Sequence, residues 1–229
     1  MRTILAIETS SDLASVALLR NGQVLSHEAS GVQTHSQTVL PMVQALLAQD
    51  GIALEQCDAI AFGAGPGSFT GVRTACGVAQ GLAFGRDLPV VPIVTLRAMA
   101  QACRDACGAD DVLVVLDARM EEVYWAQYRY RNGWQAVSGP TLSAPAMVTA
   151  TGDVVACGNG LTVYASAFEA MPFADSAQCD IMPHAAQIAW LAQFELEAGR
   201  GASARDAQPI YLRNKVAMTT VERLAKATA

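Results

Sequence analysis

The stretch DAIAFGAGPGSFTGVR, residues 58–73, decides how this chain folds. Residues 58–62 form a short apolar run that reads as a strand. It feeds a glycine-rich turn, Gly63-Ala64-Gly65-Pro66-Gly67, and residues 68–84 then read as a helix. Backbone N–H groups and the helix dipole at such a turn suit a phosphate. The loop lacks the Lys-Ser/Thr ending of a P-loop, and its glycines miss the G-x-G-x-x-G register. Nor is it a G-x-S-x-G nucleophile elbow, because Pro66 stands where the first glycine would be. With no charged residue to complete a phosphate site, residue chemistry favours a tight strand-to-helix turn over a ligand loop. Gly71, Gly77 and Gly81 leave a smooth helix face on which another helix can pack closely.

Upstream, residues 3–8 are apolar and end in the polar turn Thr9-Ser10-Ser11-Asp12. Residues 14–20 follow, Asn21-Gly22 supplies a hairpin turn, and residues 23–30 return as a third strand. The period then changes: Val39, Met42, Val43, Leu46 and Leu47 sit at helical spacing, with Thr34 or Ser36 as cap. Downstream come a strand at 89–94 and a helix at 95–107. The first hundred residues therefore run β-β-β-α-β-α-β-α.

Near residue 108 the order restarts. Residues 111–118 are an apolar strand, 122–130 alternate as a second, and Asn132-Gly133 turns into 134–137. A short strand at 154–157 ends in Gly158-Asn159-Gly160, and 184–198 form a helix. No sequence repeat is visible, so any duplication is one of architecture. The reading is an α/β chain of two lobes, 1–102 and 103–207. Residues 199–204 resemble a linker, and the segment 208–229, with Tyr211-Leu212-Arg213, is a candidate to return to the first lobe.

The composition sets limits on function. The chain has 229 residues, 52% hydrophobic and 16% charged, which excludes disorder for most of it. A net charge of −6 makes it a poor lone partner for nucleic acid or an anionic membrane. Uncharged stretches are broken by polar residues, Gly and Pro, so no spanning segment is expected. The apolar run before Glu8 is too short for a signal peptide. Six cysteines without a C-x-x-C pair read as reduced thiols of a cytoplasmic protein.

Catalytic machinery is hard to assemble from these residues. His27, His35 and His184 show no metal-ligand spacing, and Cys103 and Cys107 have no His or Cys cluster beside them. Ser10, Ser11 and Ser68 are candidate nucleophiles without a base placed by motif. The group Asp117-Ala118-Arg119-Met120-Glu121-Glu122 offers paired carboxylates beside an Arg at a strand end. An exposed ion pair that orients a turn explains it more simply. Two adjacent helices with so little charge, 36–49 and 69–84, exceed the needs of one small core. A subunit interface is the sharper reading of them.

These residues carry a resemblance. Residues 4–10 (ILAIETS), the signature GPGSFTGVR at 65–73, Asp117-Ala118-Arg119 with Glu122-Val123-Tyr124, and Tyr211-Leu212-Arg213 are similar to the TsaB family, in order and over essentially the whole chain. The family implies two actin-like (ribonuclease-H-like) lobes with mixed sheets. It also implies a non-catalytic subunit that binds the threonylcarbamoyltransferase TsaD, and with it TsaE. That complex makes threonylcarbamoyladenosine in tRNAs decoding codons that begin with A, so tRNA is met only through the complex. TsaD-like proteins carry two metal-binding histidines whose positions fall here on Leu96 and Ala100. Their third ligand, an Asp, falls on Pro183. No metal and no cofactor are expected, although weak ATP or ADP binding is left open at a vestigial nucleotide loop of Thr9, Ser10, Gly65 and Gly67. Glu8 is the enzyme-like choice where TsaB sequences often have Asp.

The expected partner interface is Val39, Val43, Leu46, Phe69, Gly71, Arg73, Ala75 and Gly77, which would also form a homodimer when the partner is absent. Charges at Val43 or Ala75 are expected to break it and leave a folded monomer. Two other readings stand beside this one: a nucleotide-sensing subunit without turnover, and an active metallopeptidase-like or kinase-like enzyme.

Overall fold

The computed structural model describes residues 2–30 and 35–213. Ile4–Glu8 (β1) is buried at every residue, which places it at the centre of a sheet. It pairs antiparallel with Ala14–Arg20 (β2), and β2 pairs antiparallel with Gln23–Ala29 (β3). Asn21 and Gly22 both take positive φ, 53° and 77°, as the expected hairpin turn requires. On its other side β1 pairs in parallel with Ala59–Gly65 (β4), and β4 with Val90–Val94 (β5). The sheet order is β3-β2-β1-β4-β5. β4 runs on through Gly63 to Gly65, so part of the expected glycine turn is strand.

His35–Asp50 (α1) and Phe69–Phe84 (α2) cover one face of this sheet. Val39, Val43 and Leu46 of α1, with Ala75, Cys76 and Ala79 of α2, pack against Leu5, Ile7, Val16, Ile60 and Phe62. Ile4, Ala6, Ala61 and Ile93 point to the opposite face, which is also covered. Burial on both faces explains why β1 and β4 read as continuous apolar runs rather than alternating ones.

Thr95–Cys107 (α3) leads to the second sheet. Asp111–Asp117 (β6), Val123–Tyr130 (β7), Trp134–Ser143 (β8) and Val155–Cys157 (β9) take the order β8-β7-β6-β9. Pairs β6–β7 and β7–β8 are antiparallel and β6–β9 is parallel. This repeats the β3-β2-β1-β4 connectivity of the first sheet strand for strand. The architecture is that of two actin-like lobes. α3 packs Leu96, Met99, Ala100 and Cys103 on one face of the second sheet. Two short helices that the sequence did not reveal, Gly160–Val163 (α4) and Ala165–Phe168 (α5), cover the other with Leu161 and Phe168.

Ala185–Glu197 (α6) falls in the segment that sequence order gives to the second lobe, yet its apolar side lies on the first sheet. Ala185, Ile188, Ala189 and Ala192 pack with Ile4, Ala6, Ala17 and Val91. The chain after it stays there: Ala202 bridges to Val90, and Gln80 of α2 donates to the carbonyls of Ala204 and Ala207. An amphipathic helix shows which of its sides is apolar, not which sheet that side will meet. Of the segment 208–229, residues 208–213 run back between the two sheets, with the Ile210 N–H donating to the Ala64 carbonyl at 2.7 Å. Residues 214–229, and the proposed cap Thr34, lie outside the described residues. No described helix is long and apolar enough to cross a membrane.

Candidate functional site

The central strands of the two sheets end alike, β1 in Glu8 and β6 in Asp117. Beyond these ends a cavity of about 310 Å³ lies between the lobes. Ser10, Ser11, Asp12, Gly67 and Ser68 line it from the first lobe; Asp117, Arg119, Tyr124 and Asn159 line it from the second; Tyr211 and Arg213 cross it. Glu8 itself is fully buried beneath the following turn. Burial pushes its carboxyl pKa up, and hydrogen bonds from the Ser10 and Thr9 backbone pull it part of the way back. Oε1 accepts from the Ser10 N–H at 2.5 Å, whereas Oε2 has no hydrogen-bond partner among the described residues.

The structure brings Thr9, Ser10, Gly65 and Gly67 together, and it shows what they do locally. The Thr9 hydroxyl donates to the Gly71 carbonyl at 2.7 Å, and the Ser68 N–H donates to the Ser10 carbonyl at 2.7 Å. A β-carbon at Gly71 would lie 1.9 Å from the Thr9 oxygen, so only glycine lets the first turn of α2 seat on the Thr9–Ser10 turn. The Gly65 N–H donates to the Thr95 hydroxyl at 3.1 Å, and Gly67 sits against Ser10. The N–H groups of Gly65, Ser68, Gly71 and Val72 are thus all engaged within the chain.

Across the cleft, Asp117 forms the expected ion pair with the exposed Arg119 at 3.3 Å, but its own carboxylate is buried. Its side chain is 4% exposed and accepts from the Arg119 N–H at 2.8 Å and the Tyr164 hydroxyl at 3.0 Å. Asn159 accepts from the Asp117 N–H at 3.0 Å. The next three residues, Arg119, Met120 and Glu121, hold φ of 59°, 58° and 62°. A left-handed run of non-glycine residues costs roughly 1–2 kcal/mol per residue and needs outside support. Arg213 supplies it, donating to the Arg119 carbonyl at 3.3 Å and pairing with Glu122 at 2.5 Å. Residues 210–213 therefore act as a strap. Ile210 bonds β4, Tyr211 packs at a tilt against Phe69 of α2, Leu212 packs on the second core, and Arg213 holds the 119–122 turn.

The expected helix-pair interface needs correction residue by residue. Val39, Val43, Leu46 and Ala75 are 3% exposed or less, and they serve this chain's own core. Gly71 is buried on Thr9. A glutamate at Val43 or Ala75 would put an unpaired charge into that core, so neither change leaves a folded monomer. Three residues of the expected set, Phe69, Arg73 and Gly77, do lie on the outer face of α2, beside Gly81 and Phe84, and the outer face of α1 is carried instead by Leu40, Pro41, Ala45 and Ala48. Phe84 is 77% exposed and Leu40 44%. Among the described residues, the helix's own nearby backbone aside, nothing lies within 4 Å of a β-carbon built at Gly77 or Gly81.

Residues 24–221 match the family model described as TsaD: tRNA N6-adenosine threonylcarbamoyltransferase. The chain is 39% identical over 227 residues to the tRNA threonylcarbamoyladenosine biosynthesis protein TsaB of Haemophilus influenzae, covering 93% of this chain and 94% of that one. Against the protein of the same name from Escherichia coli it is 39% identical over 221 residues, covering 93% and 96%. The chain belongs to the TsaB family. The solved YeaZ of Pseudomonas aeruginosa superposes with a TM-score of 0.86 at 40% identity, covering 93% of this chain and all of that one. A second Pseudomonas aeruginosa structure, described as an uncharacterized protein with similarity to peptidase YEAZ, gives 0.87 at 39%. In this TsaB-family chain Leu96 and Ala100 are fully buried on α3, and Pro183 is buried before α6. Among the described residues no group of three or more His, Cys, Asp or Glu side chains is placed to hold a metal ion.

Proposed function

We propose that this TsaB-family chain is a non-catalytic subunit in threonylcarbamoyladenosine biosynthesis. It binds a TsaD-type transferase, and with it TsaE, in the cytoplasm. The observation that carries the reading is the outer face of α1 and α2. It is smooth at Gly77 and Gly81, apolar at Leu40 and Phe84, and almost without charge. A face of that kind invites close helix packing by a partner with a related lobe, or by a second copy when the partner is missing. The chain's net charge of −6 leaves tRNA contact to the partners. The non-catalytic part is supported by apolar side chains at Leu96, Ala100 and Pro183, which cannot ligate a metal.

The test is nucleoside analysis of tRNA from cells depleted of the chain and complemented with either wild type or Gly77→Glu. Wild type is expected to restore threonylcarbamoyladenosine and Gly77→Glu to fail. Unchanged modification in depleted cells would overturn the reading. A second reading, ADP or ATP held without turnover, draws on the interlobe cavity of about 310 Å³. Asp12 and Asp117 on its wall act against a phosphate. Calorimetry with ADP decides it.

A further inference from the structure

We infer that Arg73 is the docking point for a carboxylate of the partner protein, which makes the α1–α2 face select an acid-bearing partner over a second copy of this chain. The inference rests on the reading that this face binds a TsaD-type protein, and it names the chemistry that partner must bring.

α2 contains one charged residue, Arg73. Its guanidinium lies 3.2 Å from the centroid of the Phe69 ring and 4.9 Å from that of Tyr211. The two rings are 6.0 Å apart and hold the guanidinium in one orientation. Stacking engages the flat face of a guanidinium and leaves its in-plane N–H donors unused. Among the described residues Arg73 makes no hydrogen bond and no ion pair. Four arginines, by contrast, are matched: Arg20 with Asp50, Arg97 with Glu195, Arg129 with Asp111, Arg213 with Glu122. An unmatched, pre-oriented fork on an otherwise uncharged helix face suits the two oxygens of a carboxylate.

Docking turns that suitability into a requirement. A partner covering α2 removes water from Arg73, and a desolvated charge without a counter-charge is costly. A second copy meeting this face by two-fold symmetry offers α1 and α2 again. The acid on those helices is Asp50, at the end of α1 and already held by Arg20 at 2.7 Å. Self-pairing therefore leaves both Arg73 side chains without a carboxylate from the paired helices. A different protein is free to supply one, which is specificity by an unmet charge.

The experiment measures binding of the TsaD-type protein from the same genome by calorimetry, and self-association by sedimentation, for wild type, Arg73→Ala, Arg73→Lys, Arg73→Glu and Gly77→Glu. Arg73 is exposed, so all three of its variants should keep native circular dichroism. Arg73→Ala should weaken partner binding by roughly 30-fold or more, with Arg73→Glu worse and Arg73→Lys between wild type and alanine. Self-association of Arg73→Ala should stay the same or tighten. If the Arg73 variants bind within about twofold of wild type while Gly77→Glu does not bind, the carboxylate contact is wrong and the docking face stands. If Gly77→Glu also binds normally, the face is wrong and the inference falls with it. A matching loss of affinity for tRNA alone in Arg73→Ala would assign the arginine to phosphate instead, and would equally overturn it.

Discussion

Glu8 of β1 lies hard against Gly63 of β4. A β-carbon built on Gly63 would stand 1.8 Å from Glu8 Oε2 and 2.6 Å from its Cδ. The glycine is thus the space in which a fully buried carboxyl is stored at the end of the central strand pair. Gly63→Ala should destabilise the chain by about 1–3 kcal/mol, the usual cost of overpacking a closed core. In urea unfolding, Glu8→Ala together with Gly63→Ala should cost less than the sum of the two single changes. Strict additivity would show that the two residues do not compete for the same space.

Burial raises the Glu8 pKa above the ordinary carboxylate range. Its favourable contribution is therefore complete below the unfolded value and is lost as pH rises through the folded one. When Glu8 ionises, the charge falls on a buried carboxylate whose Oε2 has no hydrogen-bond partner among the described residues. Glu8→Gln should accordingly gain stability relative to wild type as pH increases from about 4.5 towards 8. Chemical denaturation at several pH values measures it, and a difference that stays flat or shrinks would contradict the burial argument.

Arg213 ties the C-terminal strap to the left-handed turn at 119–121. Arg213→Ala should release that turn, raising amide hydrogen exchange in residues 118–122 while β1 and β4 exchange as before. Unchanged protection at 118–122 would mean that Asp117 and Asn159 hold the turn unaided.

How far the sequence led differs between elements, for physical reasons. The hairpins and the succession of strands along the chain were legible because Asn21-Gly22 and the apolar runs determine them locally. The stripe Val39, Val43, Leu46 marks the side of α1 that is buried, but it looks the same whether the burial is in the chain's own sheet or under a partner. Here it is the chain's own sheet, and the outward face is carried by Leu40, Pro41, Ala45 and Ala48. The position of α6 and the course of Tyr211-Leu212-Arg213 are long-range choices with no local signal. Among the site residues, the aromatic clamp on Arg73 had one legible half, the Phe69–Arg73 spacing of one helical turn. Its other half comes from Tyr211, far along the chain.

Val43 is 3% exposed and Ala75 fully buried. Val43→Glu and Ala75→Glu should each cost several kcal/mol, about 3–5, through an unpaired charge in the core. The expected result is insoluble or unfolded protein, read by expression yield and circular dichroism. A folded, monomeric Val43→Glu would show that the helix sits less firmly on the sheet than its burial indicates.

The central claim is that the outer face of α1 and α2 docks a TsaD-type subunit. Gly81 offers the most direct test, because it is exposed, has open space above it among the described residues, and lies inside a helix where any ordinary residue other than proline is tolerated at least as well as glycine. Sedimentation of the wild-type chain mixed with the TsaD-type protein should give a stable heteromeric complex. Gly81→Glu, with native circular dichroism and an unchanged or higher melting temperature, should sediment as separate components. A Gly81→Glu chain that forms the complex with wild-type affinity would contradict the account.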